Sequence, residues 1–178
     1  MIYEDTIIGR YVDLRSANEE DAEFTLDIRQ DPNYIKFIPR INNTLEEQRE
    51  WIRNQRKKVG DYFFVVFDKK GNRIGTISIY NIDGDTAEAG RLVMNGNMFQ
   101  NFEAQLLSFR FGFNQLELNE IISFIYIYNE RALRFTKQFG GILHEPYVNK
   151  SGQLECKVTN SKEDFNICEK KLSSFLYR

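Results

Sequence analysis

Apolar residues recur along the chain with two different periods, and each period predicts a type of element. Residues 62–67 form a near-continuous run of aromatic and β-branched side chains, which is typical of a central strand buried on both faces. A polar turn follows, and residues 73–81 are predicted to return as the second strand of a hairpin. Further along, Ala104, Leu107 and Phe111 fall on one face at helical spacing, which predicts an amphipathic helix.

Capping motifs mark where the other helices are predicted to begin and end. The stretches SANE at Ser16 and TLEE at Thr44 match the capping box, in which a hydroxyl and a carboxylate accept backbone N–H groups of the first turn. Asn129 is a favourable N-cap for a third helix, which Gly140 and Gly141 close. These signals place helices between the strand patterns.

The order of elements defines the fold class. The predicted elements are a strand over 7–15, helices over 16–30 and 44–60, strands over 62–67, 73–81 and 87–94, a helix containing Phe111, a strand over 121–128, a helix over 130–139, strands over 142–148 and 153–158, and a helix from 161. The crossover from strand 87–94 through a helix to strand 121–128 makes those two strands parallel. The sequence therefore predicts an α/β (α+β) fold with a mixed, mostly antiparallel central sheet, one parallel strand pair and helices on both faces. The absence of a linker or repeat predicts a single domain over residues 1–178.

Composition narrows the function classes. The 178 residues include 24 Lys and Arg against 26 Asp and Glu, a formal net charge of −2, which lacks the electrostatic footprint of a nucleic-acid binder. No apolar stretch reaches membrane-spanning length, and the first residues do not resemble a signal peptide. Two cysteines and one histidine fit neither a disulfide framework nor a metal cluster. We therefore expect a cytoplasmic protein with no metal, no nucleic-acid partner and no membrane partner.

Five segments in order carry a resemblance to a known family. They are GRYVDLR at 9–15, EEDA at 19–22, TLEEQREWI at 44–52, EAGRLV at 88–93 and NERALRF at 129–135. Together they resemble the GNAT acetyltransferase superfamily and, within it, the RimJ/RimL-like branch of ribosomal-protein N-terminal acetyltransferases. The resemblance extends from about residue 7 to about residue 160, almost the whole chain.

The resemblance implies acetyl-CoA as the acyl donor, lying in a gap between strands 87–94 and 121–128. Where parallel strands part, unpaired backbone groups can pair with the amides of a pantetheine arm as an extra strand does. The N-terminus of the following helix, expected near Asn101, offers free amides and a dipole for the pyrophosphate. The expected cofactor-binding residues are Leu92, Val93, Met94, Phe99, Gln100, Asn101, Phe102 and Asn129.

The chain departs from the family at two places. The family's pyrophosphate loop has the pattern Gln/Arg-x-x-Gly-x-Gly/Ala, and Gly96, Phe99 and Asn101 stand at its three diagnostic positions. Glycine there allows close approach to phosphate and a positive φ, which Asn tolerates but Phe does not readily match. Thr136 stands where many members carry a Tyr that protonates the leaving thiolate, and the pKa of a threonine hydroxyl is too high for an efficient acid.

Candidate residues for the acceptor side have a functional and a structural interpretation each. Glu88 is the candidate catalytic base, acting through a water on the acceptor ammonium; its alternative is a strand-edge carboxylate bonded to backbone or to an Arg. The candidate substrate-binding residues are Tyr34, Phe37, Tyr126, Tyr128 and His144. The aromatic residues can equally pack on the sheet or cap its edge, and a lone His is more often a hydrogen-bonded structural residue.

Two functions from different classes follow. The first is an acetyl-CoA-dependent N-acetyltransferase that transfers an acetyl group to a primary amine by direct attack on the thioester. Its acceptor, of unknown identity, is a small molecule, an amino sugar or a protein N-terminus. The alternative is a non-catalytic GNAT-like module that senses acyl-CoA or binds a partner through a degenerate pyrophosphate loop. Either function is expected of a monomer or a homodimer.

Overall fold

A single sheet organises the chain from Ile7 to Ser161 in the computed structural model, which describes residues 1–34 and 36–178. The strands are β1 (Ile7–Ile8), β2 (Val12–Ser16), β3 (Tyr62–Asp68), β4 (Arg73–Asp83), β5 (Thr86–Met94), β6 (Glu120–Tyr126), β7 (Ile142–Leu143), β8 (Tyr147–Val148) and β9 (Leu154–Ser161). The helices are α1 (Ala22–Gln30), α2 (Leu45–Lys57), α3 (Met98–Arg110), α4 (Glu130–Lys137) and α5 (Lys162–Leu176). A 3-10 turn precedes α1, and a π-helical turn over Phe111–Gln115 follows α3.

The strand pairing confirms the predicted fold class. The strand order is β1-β2-β3-β4-β5-β6-β9-β7, and β8 pairs with β9 beside β7. Among the strands that the structure describes, β5 and β6 form the one parallel pair, joined by the crossover through α3. The other pairs are antiparallel. The fold is therefore a mixed α/β sheet of the predicted kind.

The alternation of side chains along β3 shows that helices cover both faces of the sheet. Phe63 and Val65 belong to a cluster with Trp51 and Ile52 of α2, while Phe64, on the other face, belongs to the larger cluster that includes α3 and α5. Each of these strand residues is at most 3% exposed. Burying one such side chain contributes about 1.5–3 kcal/mol, so β3 anchors both layers.

The first strand prediction, over 7–15, is wrong in one respect: the segment folds back on itself. β1 pairs antiparallel with β2 across a turn at residues 9–11. The fully buried carboxylate of Glu103 on α3 accepts the backbone N–H groups of Arg10, Tyr11 and Val12 at 2.9, 2.5 and 2.8 Å. The turn comes so close that a Cβ on Gly9 would lie 2.6 Å from Glu103 Oε2. Glu103 therefore supplies the acceptor that a continuous strand would have found in a neighbour.

The predicted helix start at Ser16 is also wrong. Ser16 ends β2, and its Oγ both accepts from the N–H of Tyr3 and donates to the Tyr3 carbonyl, at 3.0 Å each. The N-cap is Asn18, whose capping box partner is Asp21. Asn18 and Asp21 offer the same chemistry two residues later, and the Tyr3 backbone competes for the Ser16 hydroxyl.

Other boundaries shift less. The caps at Thr44 and Asn129 are confirmed. The strand predicted over 142–148 is two short strands, β7 and β8, because Pro146 between them has no N–H to donate to a ladder. The strand predicted to end at Tyr128 ends two residues earlier.

Three further findings concern what the described residues contain. No helix among them is long and apolar enough to cross a membrane. They include no group of three or more His, Cys, Asp or Glu side chains placed to hold a metal ion. Cys156, which is buried, and Cys168, which is half-buried, are free thiols.

Candidate active site

The two parallel strands part in the middle of the sheet. β5 and β6 are paired only at Thr86–Glu120, Ala87–Ile121 and Glu88–Ile122. Beyond Glu88, β5 continues to Met94, while β6 continues to Tyr126 paired with β9 on its other side. The facing edges of the two strands are then free of each other, which leaves backbone N–H and C=O groups to be satisfied by something else.

A bulge in β5 lies at this gap. Gly90 pairs with Ser78 and Val93 with Thr76, so Arg91 and Leu92 together face one residue of β4. The φ of Arg91 is +51°, in the left-handed region that a non-glycine residue enters at a strain of about 1–3 kcal/mol. Bulges of this kind redirect backbone groups out of the ladder.

A buried ion pair holds the bulge in place. The guanidinium of Arg91 donates to both carboxylate oxygens of Asp61, at 2.6 and 3.0 Å, and lies 4.2 Å from the centre of the Tyr80 ring. Burial works to raise the pKa of Asp61, but the hydrogen bond and charge of Arg91, with smaller contributions from Gln55 and Lys58, together outweigh it and the pKa is lowered. This pair could not be predicted from the sequence, because its two residues lie 30 positions apart and belong to no common motif.

Two cavities meet at the gap. The Tyr80 cavity, about 450 Å³, is lined by Arg29, Tyr80, Ser123, Tyr126 and Glu155 among others. The Met98 cavity, about 820 Å³, is lined by Met94, Met98, Asn101, Arg131 and Arg134 among others. Both are lined by Phe37, Ile38, Leu92, Val93, Asn129, Ala132 and Phe135. The two cavities therefore adjoin along these residues at the parted strands, and we call this region the passage.

Most of the predicted cofactor-binding residues come together here. Met94, Asn101 and Phe102 line the Met98 cavity, and Leu92, Val93 and Asn129 line both cavities. Phe99 and Gln100 line neither. The Phe99 ring packs 5.5 Å from that of Phe175 and 5.4 Å from that of Tyr11. Its aromatic side chain therefore joins the α3–α5 contact, away from the passage.

The helix after β5 begins earlier than the predicted position near Asn101. Its first residue is Met98, because Asn97 and Gln100 form a capping box in which each side chain accepts the other's backbone N–H. The backbone amides of Met98 and Phe99 remain as free donors at the N-terminus among the described residues. Arg134 lines the same cavity but pairs with Glu130 at 2.9 Å, so the helix dipole and Arg131 are the groups that favour an anion there.

The side chain of Asn129 caps α4 with its oxygen and lines both cavities. Its Oδ1 accepts the N–H of Ala132 at 3.2 Å as the N-cap of α4. The amide nitrogen Nδ2 has no hydrogen-bond partner among the described residues. This leaves one N–H donor group beside the passage.

The predicted acceptor residues are distributed over both sides. Tyr126 lines the Tyr80 cavity, Phe37 lines both cavities, and Tyr34 and Tyr128 line the Met98 cavity. His144 lines neither. Its Nε2 lies 2.9 Å from Thr159 Oγ1, which matches the structural interpretation of that histidine.

Two carboxylates lie near the Tyr80 cavity. Glu88, the predicted base, does not line it; Glu88 accepts from Asn81 Nδ2 at 3.1 Å, and burial, followed by the charge of Glu88, raises the pKa of Tyr80 to about 12. Glu155, which sequence analysis missed, does line it and accepts from Tyr147 Oη at 2.6 Å and Asn149 Nδ2 at 2.7 Å. The bond to Glu155 raises the pKa of Tyr147 to about 12. No sequence motif surrounds Glu155.

Comparison with known families gives a clear match. A family model for the acetyltransferase (GNAT) domain matches residues 12–142. The matched segment begins at β2 and ends at β7, so it contains β5, β6, α3 and α4, which form the passage. No curated protein matches the sequence.

Solved structures share the whole fold at low sequence identity. Apo FdhC, a nucleotide-linked sugar GNAT, has a TM-score of 0.81 at 20% identity over 99% of both chains. A GCN5-related N-acetyltransferase from Brucella melitensis has a TM-score of 0.82 at 18% identity, covering 98% of this chain and 86% of that one. Spermidine N-acetyltransferase from Vibrio cholerae, in complex with CoA and spermine, has a TM-score of 0.77 at 16% identity, covering 88% and 98%. At such identities these likenesses concern the fold alone.

Proposed function

This chain belongs to the GNAT acetyltransferase family, and from that premise we propose that it transfers an acetyl group from acetyl-CoA to a primary amine. The observation that supports this most is the pair of cavities that adjoin where β5 and β6 part. The Met98 cavity reaches a helix N-terminus and the Tyr80 cavity reaches carboxylate and hydroxyl groups, and the two meet at the parted strands. One ligand can therefore occupy each cavity, with the reacting ends of the two meeting at the parted strands.

The donor side fits acetyl-CoA by the chemistry of its groups. The free edge of β5 over 92–94 suits the amides of a pantetheine arm, and the Asn129 amide adds a donor. The N–H group of Met98, with Arg131, suits the phosphates. When bound, acetyl-CoA supplies an activated thioester to the amine.

The chain's own groups position the amine and handle its proton. Glu155 presents a carboxylate to the Tyr80 cavity, where it can bind an ammonium and accept its proton through water. Glu88, the candidate from the sequence, is one strand position from the parting of β5 and β6 and acts on the same cavity through Tyr80. Backbone N–H groups freed by the bulge at Arg91 are suited to an oxygen that gains negative charge.

The acceptor class is the open part of this proposal. FdhC is described as a nucleotide-linked sugar GNAT, and the Vibrio cholerae enzyme as a spermidine N-acetyltransferase. The RimJ/RimL-like resemblance adds a protein N-terminus. Both cavities are lined by residues of one chain, so the proposal accommodates a monomer or a homodimer. A cytoplasmic location, where free thiols persist, is also part of the proposal.

Titration calorimetry with acetyl-CoA, and with free CoA as control, tests the donor site. We expect micromolar binding, about −8 kcal/mol, followed by release of the CoA thiol when an acceptor amine is added. No heat and no thermal shift at millimolar acetyl-CoA would exclude the enzyme.

Asn129 provides a sharper test, because its two roles can be separated. Asn129→Asp keeps an oxygen to cap α4 but loses the N–H donor, so we expect wild-type thermal stability and about tenfold weaker acetyl-CoA binding. Asn129→Ala should lose the same affinity and also about 1 kcal/mol of stability. Calorimetry and thermal unfolding of both variants check this. Wild-type affinity in Asn129→Asp would remove Asn129 from the donor site.

A second candidate function is a non-catalytic module that binds acyl-CoA or a partner. The closed capping box of Asn97 and Gln100, with Phe99 in place of a loop glycine, favours it, because fewer amides remain for a phosphate. Binding of acetyl-CoA without thiol release across a panel of amines would support the module. Thiol release with any amine of the panel would exclude it.

A further inference from the structure

The Tyr80 cavity contains a guanidinium without a carboxylate partner. Arg29, in the last turn of α1, lines this cavity, and its Nη2 donates to the Pro39 carbonyl at 3.0 Å. Its Nε is buried and has no hydrogen-bond partner among the described residues. None of the ion pairs among the described residues includes Arg29.

Neighbouring charges do not balance this cation. Burial lowers the pKa of the Arg29 guanidinium, and the positive charge of Arg91 lowers it further. Arg91 pairs with Asp61, so the charge of Arg29 remains without a counter-charge. A guanidinium stays protonated at neutral pH even so, and an unpaired, partly buried charge is unfavourable unless a ligand pairs with it.

The carboxylate of the cavity lies on a different wall. Glu155 belongs to β9, at the register position of Tyr126 on β6, whereas Arg29 belongs to α1. Tyr147 and Asn149 donate to Glu155, so its charge is already hydrogen-bonded. The cavity therefore offers a carboxylate to a cationic group and, from another element, a guanidinium to an anionic one.

We propose that the acceptor is a primary amine that also carries a phosphate or carboxylate group, and that Arg29 binds this anionic group. The inference rests on the proposed function and names the acceptor class for it. A guanidinium binds both anions through paired N–H donors, and Arg29 has donors that no protein group uses. A polyamine would bring a second cation against Arg29 and is disfavoured.

Stability distinguishes this role from a structural one. Arg29→Gln removes an uncompensated charge, so the melting temperature of the variant without ligand should equal or exceed that of the wild type. A lower melting temperature would mean that Arg29 holds the fold and would count against the proposal.

Binding of matched amino sugars tests the ligand. Glucosamine, glucosamine 6-phosphate, muramic acid and spermidine are titrated by calorimetry into wild type, Arg29→Gln and Arg131→Gln. We expect at least one anionic sugar to bind about tenfold or more tightly than glucosamine, and the two anionic arms to distinguish phosphate from carboxylate. Arg29→Gln should abolish this preference, while Arg131→Gln, which alters only the Met98 cavity, should keep it.

Three outcomes would overturn the proposal: spermidine binding as tightly as the anionic sugars, a preference that persists in Arg29→Gln, or no binding of either anionic sugar at millimolar concentration. The titrations contain no acetyl-CoA, so they fail independently of the donor site. If the wild type prefers the anionic sugars but does not bind acetyl-CoA in the separate titration, the proposed function is overturned and Arg29 forms only an anion-binding site.

Discussion

Asp61→Asn should lower the free energy of unfolding by about 3–5 kcal/mol, because it leaves the Arg91 guanidinium, whose side chain is only 18% exposed, without a counter-charge. Asp61 is 1% exposed and accepts from Arg91 through both oxygens. Urea unfolding of both proteins measures the difference. The exposed residue Asp5 gives a matched control, and Asp5→Asn should change stability by less than about 0.5 kcal/mol.

The double variant Asp61→Asn/Arg91→Met tests whether the stability lost in Asp61→Asn comes from the unpaired charge of Arg91. Removing the stranded cation should recover part of the stability, since a buried ion pair replaced by apolar groups is often neutral. A double variant less stable than Asp61→Asn would mean that Arg91 stabilises the bulge without its charge.

The same pair predicts a dependence on pH. The pKa of Asp61 is lowered in the folded protein, so its ion pair stabilises the fold above the unfolded pKa, about 4, and loses that effect as pH falls through the lower folded pKa. The difference in unfolding free energy between wild type and Asp61→Asn should be constant from about pH 5 to 8 and narrow below about pH 4. A difference that does not change with pH would contradict the ion-pair explanation.

Glu103→Gln should lower the free energy of unfolding by about 3 kcal/mol. The carboxylate is fully buried and accepts three backbone N–H groups, whereas a glutamine amide turns one acceptor into a donor that faces those N–H groups. Hydrogen exchange of the backbone amides of residues 10–12 should be faster in this variant, because their hydrogen bonds to Glu103 are weakened. The exposed Glu145→Gln is the control, and equal stability of the two variants would rule out this role for Glu103.

The fold could be predicted from the sequence where periodicity and caps agree. The aromatic run of β3 and the capping box at Thr44 each have a single local solution, and the structure follows them. The turn at 9–11 could not be predicted, because its acceptor, Glu103, is more than 90 residues away. Ser16 fails for the same reason: its hydroxyl binds the Tyr3 backbone, a contact that only the folded chain creates.

The candidate site could be predicted in part: positions fixed by the course of the backbone could be predicted, and positions that depend on side-chain contacts could not. Leu92 and Asn129 line both cavities as expected from their position, because strand order places them at the gap whatever their side chains do. The sequence did not point to Arg29 or Glu155, since only the folded chain brings both to the Tyr80 cavity and leaves Arg29 Nε without a partner among the described residues. Phe99 was placed by alignment to a loop, but an N-cap at Asn97 winds that position into the helix.

The wall shared by the two cavities has a thermodynamic consequence. Phe37 and Ile38, in the connection between α1 and α2, line both the Met98 and the Tyr80 cavity. A ligand on one side that restricts these side chains spares the ligand on the other side that entropy, and the coupling acts equally in both directions. If the donor and the amine occupy these two cavities as proposed, each is expected to bind more tightly when the other is present, although each also binds alone.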